Sequence, residues 1–131
     1  MKYLLDTNTC IFLMKNQTSV VERYKTNKHS GIAVSTITTA ELYYGVYNSM
    51  NPEKNGANLA NFFIGINILK FDDIAAVEYG RIRALLRKQG TPVGQMDMLI
   101  AAHAKSQGLI VVTNNMNEFA HINGLNLEDW V

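Results

Sequence analysis

The sequence predicts an α/β fold built on a parallel sheet covered on both faces. Three observations lead there. Short apolar runs without polar alternation, at residues 3–5, 32–34 and 109–112, read as strands buried on both sides. Longer segments with helix caps separate them, which is the βαβ order of a parallel sheet. The chain has 131 residues, 47% hydrophobic and 18% charged, a composition suited to one globular domain with its own core.

Residues 3–5 form the first strand, ending at Asp6. Residues 7–15 and 19–25 read as helices. The second strand spans 31–35, with Ile32, Ala33 and Val34 at its centre. Residues 36–50 are helical, and Ile37, Ala40, Tyr44 and Val46 supply the apolar positions. Pro52 suits the first turn of a helix running to about Ile64. The third strand spans 68–71. Asp72 or Asp73 can cap a long helix that ends before Gly90. A loop at 91–94 leads into a helix at 95–106, which Gly108 stops. The fourth strand, 109–112, runs into a polar loop at 113–117, and 125–131 adds a short edge strand. No repeat, low-complexity tract or linker interrupts this order, so one domain over 1–131 is expected.

Several function classes drop out. No apolar run approaches the roughly 20 residues needed to span a bilayer, and the opening Met1-Lys2-Tyr3-Leu4-Leu5-Asp6 does not read as a secretory signal. Cys10 is the only cysteine, so no intramolecular disulfide forms and a reducing cytoplasm is the expected compartment. Neither GxGxxG nor GxxxxGK[ST] is present, nor a GxSxG elbow. His29, His103 and His121 are scattered without zinc-binding spacing, and His103 reads as a core histidine. Net charge is +1, so bulk charge does not argue for a nucleic-acid partner. One run is locally basic. Arg81, Arg83, Arg87 and Lys88 occur with no acid between Tyr79 and Met96. Such a run can track a phosphate backbone or form the solvated face of a helix.

In open α/β sheets, ligands bind outside the carboxyl ends of the strands. Asp6 stands at such an end; it is equally placed to cap the following helix. Glu41 shares a helical stripe with Ile37 and Tyr44, so it either points inward, which demands a partner, or reaches water at the flank. Asp97 lies in the first turn of the most apolar helix, where it either answers the helix dipole or is delivered to the strand ends as a ligand. Asn114, Asn115, Asn117 and Glu118 follow the fourth strand. They can serve a hard cation or its water shell, or simply make a turn. An empty acidic cluster repels itself. A Mg²⁺ or Mn²⁺ ion offsets that cost and supports phosphodiester hydrolysis by activating water and stabilising the leaving oxygen.

At this point the segments match a known family. Leu4-Leu5-Asp6-Thr7-Asn8 resembles the opening of PIN-domain ribonucleases. The segment Ser35-Thr36-Ile37-Thr38-Thr39-Ala40-Glu41-Leu42-Tyr43-Tyr44-Gly45 resembles their second motif. Residues 90–104, containing Gly94-Gln95-Met96-Asp97, resemble the third. Val112-Thr113-Asn114-Asn115-Met116-Asn117-Glu118-Phe119 and the ending Gly124-Leu125-Asn126-Leu127-Glu128-Asp129-Trp130-Val131 resemble the VapC toxin branch. The motifs occur in order over essentially the whole chain.

The resemblance implies a three-layer α/β/α sandwich with a central parallel sheet, a homodimer, and a metal-dependent endoribonuclease site. It also implies a VapB-like antitoxin and a tRNA substrate, initiator tRNA cut in the anticodon stem-loop. In this reading Asp6 and Asp97 bind Mg²⁺, with Mn²⁺ able to substitute. Glu41 completes the negative pocket and positions or deprotonates the attacking water. Thr7, Asn8, Thr113 and Asn115 surround the acids with polar groups. Arg81, Arg83, Arg87 and Lys88 hold RNA or antitoxin. Many members carry a fourth acid where this chain has Asn115; Glu118 can serve instead, or Asn115 can orient a metal-bound water. Two other classes stay open: a structure-specific DNA nuclease and a non-enzymatic α/β binding module.

Overall fold

The computed structural model describes residues 1–131. Five strands, β1 (Tyr3–Leu5), β2 (Ile32–Ser35), β3 (Asn67–Leu69), β4 (Ile110–Val112) and β5 (Leu127–Glu128), form one sheet in the order β3-β2-β1-β4-β5. Every pairing is parallel. Seven helices connect them: α1 (Thr7–Met14), α2 (Thr18–Asn27), α3 (Thr36–Tyr47), α4 (Pro52–Phe63), α5 (Asp73–Gln89), α6 (Gln95–Gln107) and α7 (Met116–Phe119). None is long and apolar enough to cross a membrane.

Strand side chains alternate between two cores, as the pleat requires. Leu4, Ala33 and Val111 face one core with Ile82 and Leu86 of α5 and the buried face of α6. Tyr3, Leu5, Ile32, Val34 and Val112 face the other, with Cys10 of α1, Val20 of α2, Leu42 of α3 and Leu59 of α4. Both faces of the strands are apolar, which explains the unalternated runs. The expected three-layer α/β/α sandwich is therefore observed.

The strand order reverses between β1 and β4. From β1 the chain winds outward through β2 to β3, then returns to place β4 on the other side of β1. A crevice opens at the carboxyl ends where that reversal occurs. Asp6 follows β1 there and Thr113 follows β4, with Asp6 N–H donating to Val112 O at 3.0 Å.

Several boundaries differ from expectation, β5 among them, which holds only Leu127–Glu128 of the expected 125–131. β3 begins at Asn67 and ends at Leu69, because Phe71 N–H leaves the sheet to donate to Thr36 Oγ1 at 3.1 Å. α3 stops at Tyr47, where Asn48 caps it with N–H bonds to Tyr44 O and Val46 O. Residues beyond Thr113 do not stay in a loop. Asn115 leads directly into α7, which carries Glu118 in its first turn. Four residues are too few for a periodic signal.

Candidate active site

Each central acid reaches the crevice for a local structural reason. Asp6 is 3% exposed and caps α1, its Oδ1 accepting Thr9 N–H at 2.8 Å. Capping and placement at the strand end thus coincide in one residue. Thr9 Oγ1 donates to Val112 O at 2.9 Å and ties that cap to β4. Glu41 stands on α3, half-buried. Its Oε1 accepts the Thr7 hydroxyl at 2.6 Å, and Thr38 Oγ1 lies 3.4 Å from the same hydroxyl oxygen. Asp97 stands in the first turn of α6, beyond Gly94, which has no side chain to offer a cap.

On the β4 side Asn115 bridges two acids. Its Nδ2 donates to Asp97 Oδ2 at 3.2 Å and to Glu118 Oε2 at 2.7 Å. Glu118 Oε1 also accepts the Gly94 backbone N–H. These two bonds, backbone first, hold the Glu118 carboxyl below its ordinary value, and His121 adds to the effect. Thr113 Oγ1 accepts Asn115 N–H at 2.9 Å and shapes the loop.

The electrostatics are one-sided. Burial raises the Asp6 carboxyl above its ordinary value, while bonds from Thr113 and Thr9 restrain the rise. Asp97 is pushed up to about 6, first by burial and then by Glu118, Asp6 and Glu41, with Asn115 opposing. Asp6, Glu41, Asp97 and Glu118 therefore share one field, to which Asp129 adds on the Asp6 side. The chain's lysine and arginine ion pairs lie elsewhere, Arg23 with Glu128 and Arg81 with Glu78, each at 3.2 Å.

That imbalance predicts a pH dependence. The folded Asp97 titrates near 6 and the unfolded residue near 3.8. Between those values the folded state holds the extra proton, so stability falls as pH rises from about 4 to about 6. Full value would be about 3 kcal/mol; solvent screening at a half-open site reduces it to about 1–2 kcal/mol. Urea unfolding in chelator should therefore find Asp97→Asn more stable than the parent at pH 7 and no more stable at pH 4.

The structure brings Asp6, Glu41 and Asp97 into this field, with Thr7 and Thr113 beside Glu41 and Asp6, and Asn115 linking Asp97 to Glu118. Asn8 is exposed on the first turn of α1. The basic run does not join the cluster as a unit. Arg81 pairs with Glu78, and Arg83 donates to Tyr79 Oη at 3.1 Å across its own helix. Arg87 and Lys88 are exposed in the last turn of α5. Sequence reasoning missed Thr9, Thr38 and Gly94. A Cβ on Gly94 would come 3.3 Å from Glu118 Oε1, so glycine there keeps the backbone close to the acids. The small residue directly before an acid-bearing helix was the available signal.

Two open clefts flank the acids. One, of about 900 Å³, starts at Thr7 and Glu41 and runs between α1, α3 and α4. The other lies on the β4 side against Gly94, Asn115 and Glu118.

The model of the PIN domain matches residues 3–125. The chain belongs to the PIN-domain family. It is 47% identical over 131 residues to the tRNA(fMet)-specific endonuclease VapC of Salmonella typhimurium, covering 99% of this chain and 98% of that one. Ribonuclease VapC2 of Haemophilus influenzae is 43% identical over 133 residues, covering 100% and 99%. Among solved structures, DNA-bound VapBC from Salmonella typhimurium superposes with a TM-score of 0.95 at 47% identity, covering 100% of this chain and 99% of that chain. VapBC2 from Rickettsia felis, bound to a promoter DNA fragment, also gives 0.95, at 35% identity and full coverage of both chains. The acids at the switch point are thus acids of a PIN domain.

Proposed function

We propose that this chain is the toxin of a toxin–antitoxin pair, a single-domain endoribonuclease over residues 1–131 that hydrolyses phosphodiester bonds in RNA with a divalent ion. The single observation that carries the reading is the acid cluster at the switch point, with Asp97 pushed up to about 6 and no lysine or arginine paired to it. The names of its relatives sharpen the reading to initiator tRNA as substrate and a VapB-like antitoxin as partner, acting in the cytoplasm. The homodimer remains part of the proposal; exposed Tyr44, Tyr47 and Met50 on and just beyond α3 are surface it could cover.

The donor set fits Mg²⁺, with Mn²⁺ as substitute. All candidate donors are hard oxygens, and the cluster is short of positive charge. No three His, Cys, Asp or Glu side chains converge into a ready-made cage. That suits Mg²⁺, which keeps several waters and is commonly held by one or two carboxylates. Asp6 and Asp97 would hold it, with Asn115 or Glu118 oriented toward its waters. When bound, the ion would supply charge neutralisation at the scissile phosphate and an acidified water.

The chain's own residues do the rest. Asp6 is fixed at the end of β1 by its capping bond from Thr9 N–H. Glu41, steadied by the Thr7 hydroxyl, orients and accepts a proton from the attacking water. Asn115 limits repulsion between Asp97 and Glu118 by donating to both.

The test is incubation of the purified chain with folded tRNA and with flapped DNA, in Mn²⁺, in Mg²⁺ and in chelator. Discrete cuts in tRNA that need metal are expected; cleavage of DNA alone, cleavage in chelator, or none at all overturns the reading. Metal should also raise the melting temperature. Saturation at 100 times the dissociation constant is worth about 2.7 kcal/mol, and calorimetry on Asp97→Asn should show most of that gain lost.

A further inference from the structure

A third cleft lies beyond Glu118, away from α1, α3 and α4. It encloses about 300 Å³ between α5, α6 and the turn that follows α7. Its floor is apolar, made by buried Ile82, Leu86 and Ile122. Its rim is basic. Arg81 of α5, Lys105 of α6 and the imidazole of His121 stand around it, all three exposed. His121 also lines the cleft against Gly94, Asn115 and Glu118, so the two clefts share a wall. The acid side of the molecule therefore opens, past His121, onto a pair of cations.

Those cations are differently held. Lys105 stands in the last turn of α6. A Cβ on Gly124 would come 3.5 Å from its Cε and 3.7 Å from its Nζ, so the lysine stem lies along that turn, where the backbone φ of 76° favours glycine. Neither ion pair of the chain uses Lys105. Arg81 pairs with Glu78 at 3.2 Å, but an exposed pair of this kind is weak and exchanges readily for a better partner. Of the four cations on α5, only Arg81 lines this cleft, so no run in the sequence marks the rim.

We propose that this rim holds the RNA backbone on one side of the cut, an inference that rests on the ribonuclease reading above. The strand leaves the acids past Glu118 and His121, and its phosphates meet Lys105 and Arg81. A carboxylate cluster repels a polyanion everywhere except at its metal, so the charges that draw the strand in must stand beside the cluster and not within it. Lysine offers a phosphate a point charge, and arginine a fork of donors. The continuity of the two clefts favours RNA over an acidic protein segment. A strand running through both delivers a phosphate to the metal; a peptide running through both would set its carboxylates against Glu118 and Asp97.

The test follows kcat/KM for metal-dependent cleavage of folded tRNA as KCl rises from about 50 to about 200 mM. Each phosphate contact contributes about 0.7–0.9 to the slope of log kcat/KM against log [KCl]. Lys105 and Arg81 are exposed, so Lys105→Gln and Arg81→Gln should fold as the parent does, checked by circular dichroism. Each should raise KM with little change in kcat, and each should lose one contact's share of the slope. The rise in salt should then cost either variant about 3-fold less than it costs the parent, and the double variant about 10-fold less. Lys25→Gln removes the same charge from α2, on the opposite face of the sheet, and should keep the parent's slope. An oligonucleotide trimmed close to the cut does not reach the rim and should be cleaved equally by parent and variants. Unchanged slopes, an equal change in Lys25→Gln, an equal loss on the trimmed substrate, or a loss confined to binding a protein partner overturns the RNA track and leaves the nuclease reading standing. A parent that cuts no RNA overturns both.

Discussion

Asp97→Asn is expected to abolish RNA cleavage, lowering kcat/KM by about 10³-fold or more, while the protein remains folded. A metal that neutralises charge at a scissile phosphate supplies several kcal/mol in the transition state, and each 1.36 kcal/mol is about tenfold in rate. Asparagine keeps the side chain's shape and one acceptor oxygen but removes the negative charge. It also relieves repulsion in a site where burial, Glu118, Asp6 and Glu41 all raise Asp97. The two effects have opposite signs. Activity should collapse while stability in chelator rises at neutral pH. A variant that lost activity merely by misfolding would show the reverse change in stability. Single-turnover cleavage in Mn²⁺, beside urea unfolding in chelator, measures both. Asp6→Asn should lose activity similarly without the same gain in stability, because Asp6 also caps α1 through Thr9 N–H, and the charged cap bond is weakened when the carboxylate goes.

Much of this site was legible in the sequence because its acids sit at positions defined by local rules. Asp6 ends an apolar run, and a residue there faces the crevice of any parallel sheet. Asp97 opens an apolar helix that had to be buried. What periodicity could not show is which strands neighbour one another. The order β3-β2-β1-β4-β5 puts β4 beside β1 through a connection of about forty residues. That pairing brings Asn115 to Asp97, eighteen residues apart in the chain. Glu118 was named as a candidate, but its placement was not legible for a related reason: α7 is a single turn with no repeat to detect, and the carboxylate is aimed by a backbone N–H from Gly94. The basic run was less legible, because sequence left it either as a phosphate track or as the solvated face of a helix. Arg81 contacts Glu78 and Arg83 contacts the Tyr79 ring within the same helix, while Arg87 and Lys88 are exposed at its end.

The largest loss of stability is expected from Trp130→Ala, about 3–5 kcal/mol by the cost of truncating a buried aromatic side chain. Trp130 is 2% exposed although it is the penultimate residue. Its ring meets Tyr3 of β1 edge-on with centroids 5.3 Å apart, and its Nε1 donates to Glu128 Oε1 at 3.0 Å. Arg23 of α2 holds the same carboxylate at 3.2 Å. Trp130 thus pins a two-residue edge strand that could not persist by itself. Because it is the only tryptophan, unfolding should be followed by far-ultraviolet circular dichroism. The urea midpoint should fall with little change in slope. Trp130→Phe, which keeps a ring against Tyr3 but loses the donor to Glu128, should fall between variant and parent. The effect should reach the active site by a traceable route. Glu128 O accepts the Thr113 N–H at 2.9 Å, and Thr113, which stands beside Asp6, receives Asn115 N–H. Loosening β5 therefore frees the loop that places Asn115 between Asp97 and Glu118, and metal affinity should weaken in Trp130→Ala even at temperatures where the fold survives.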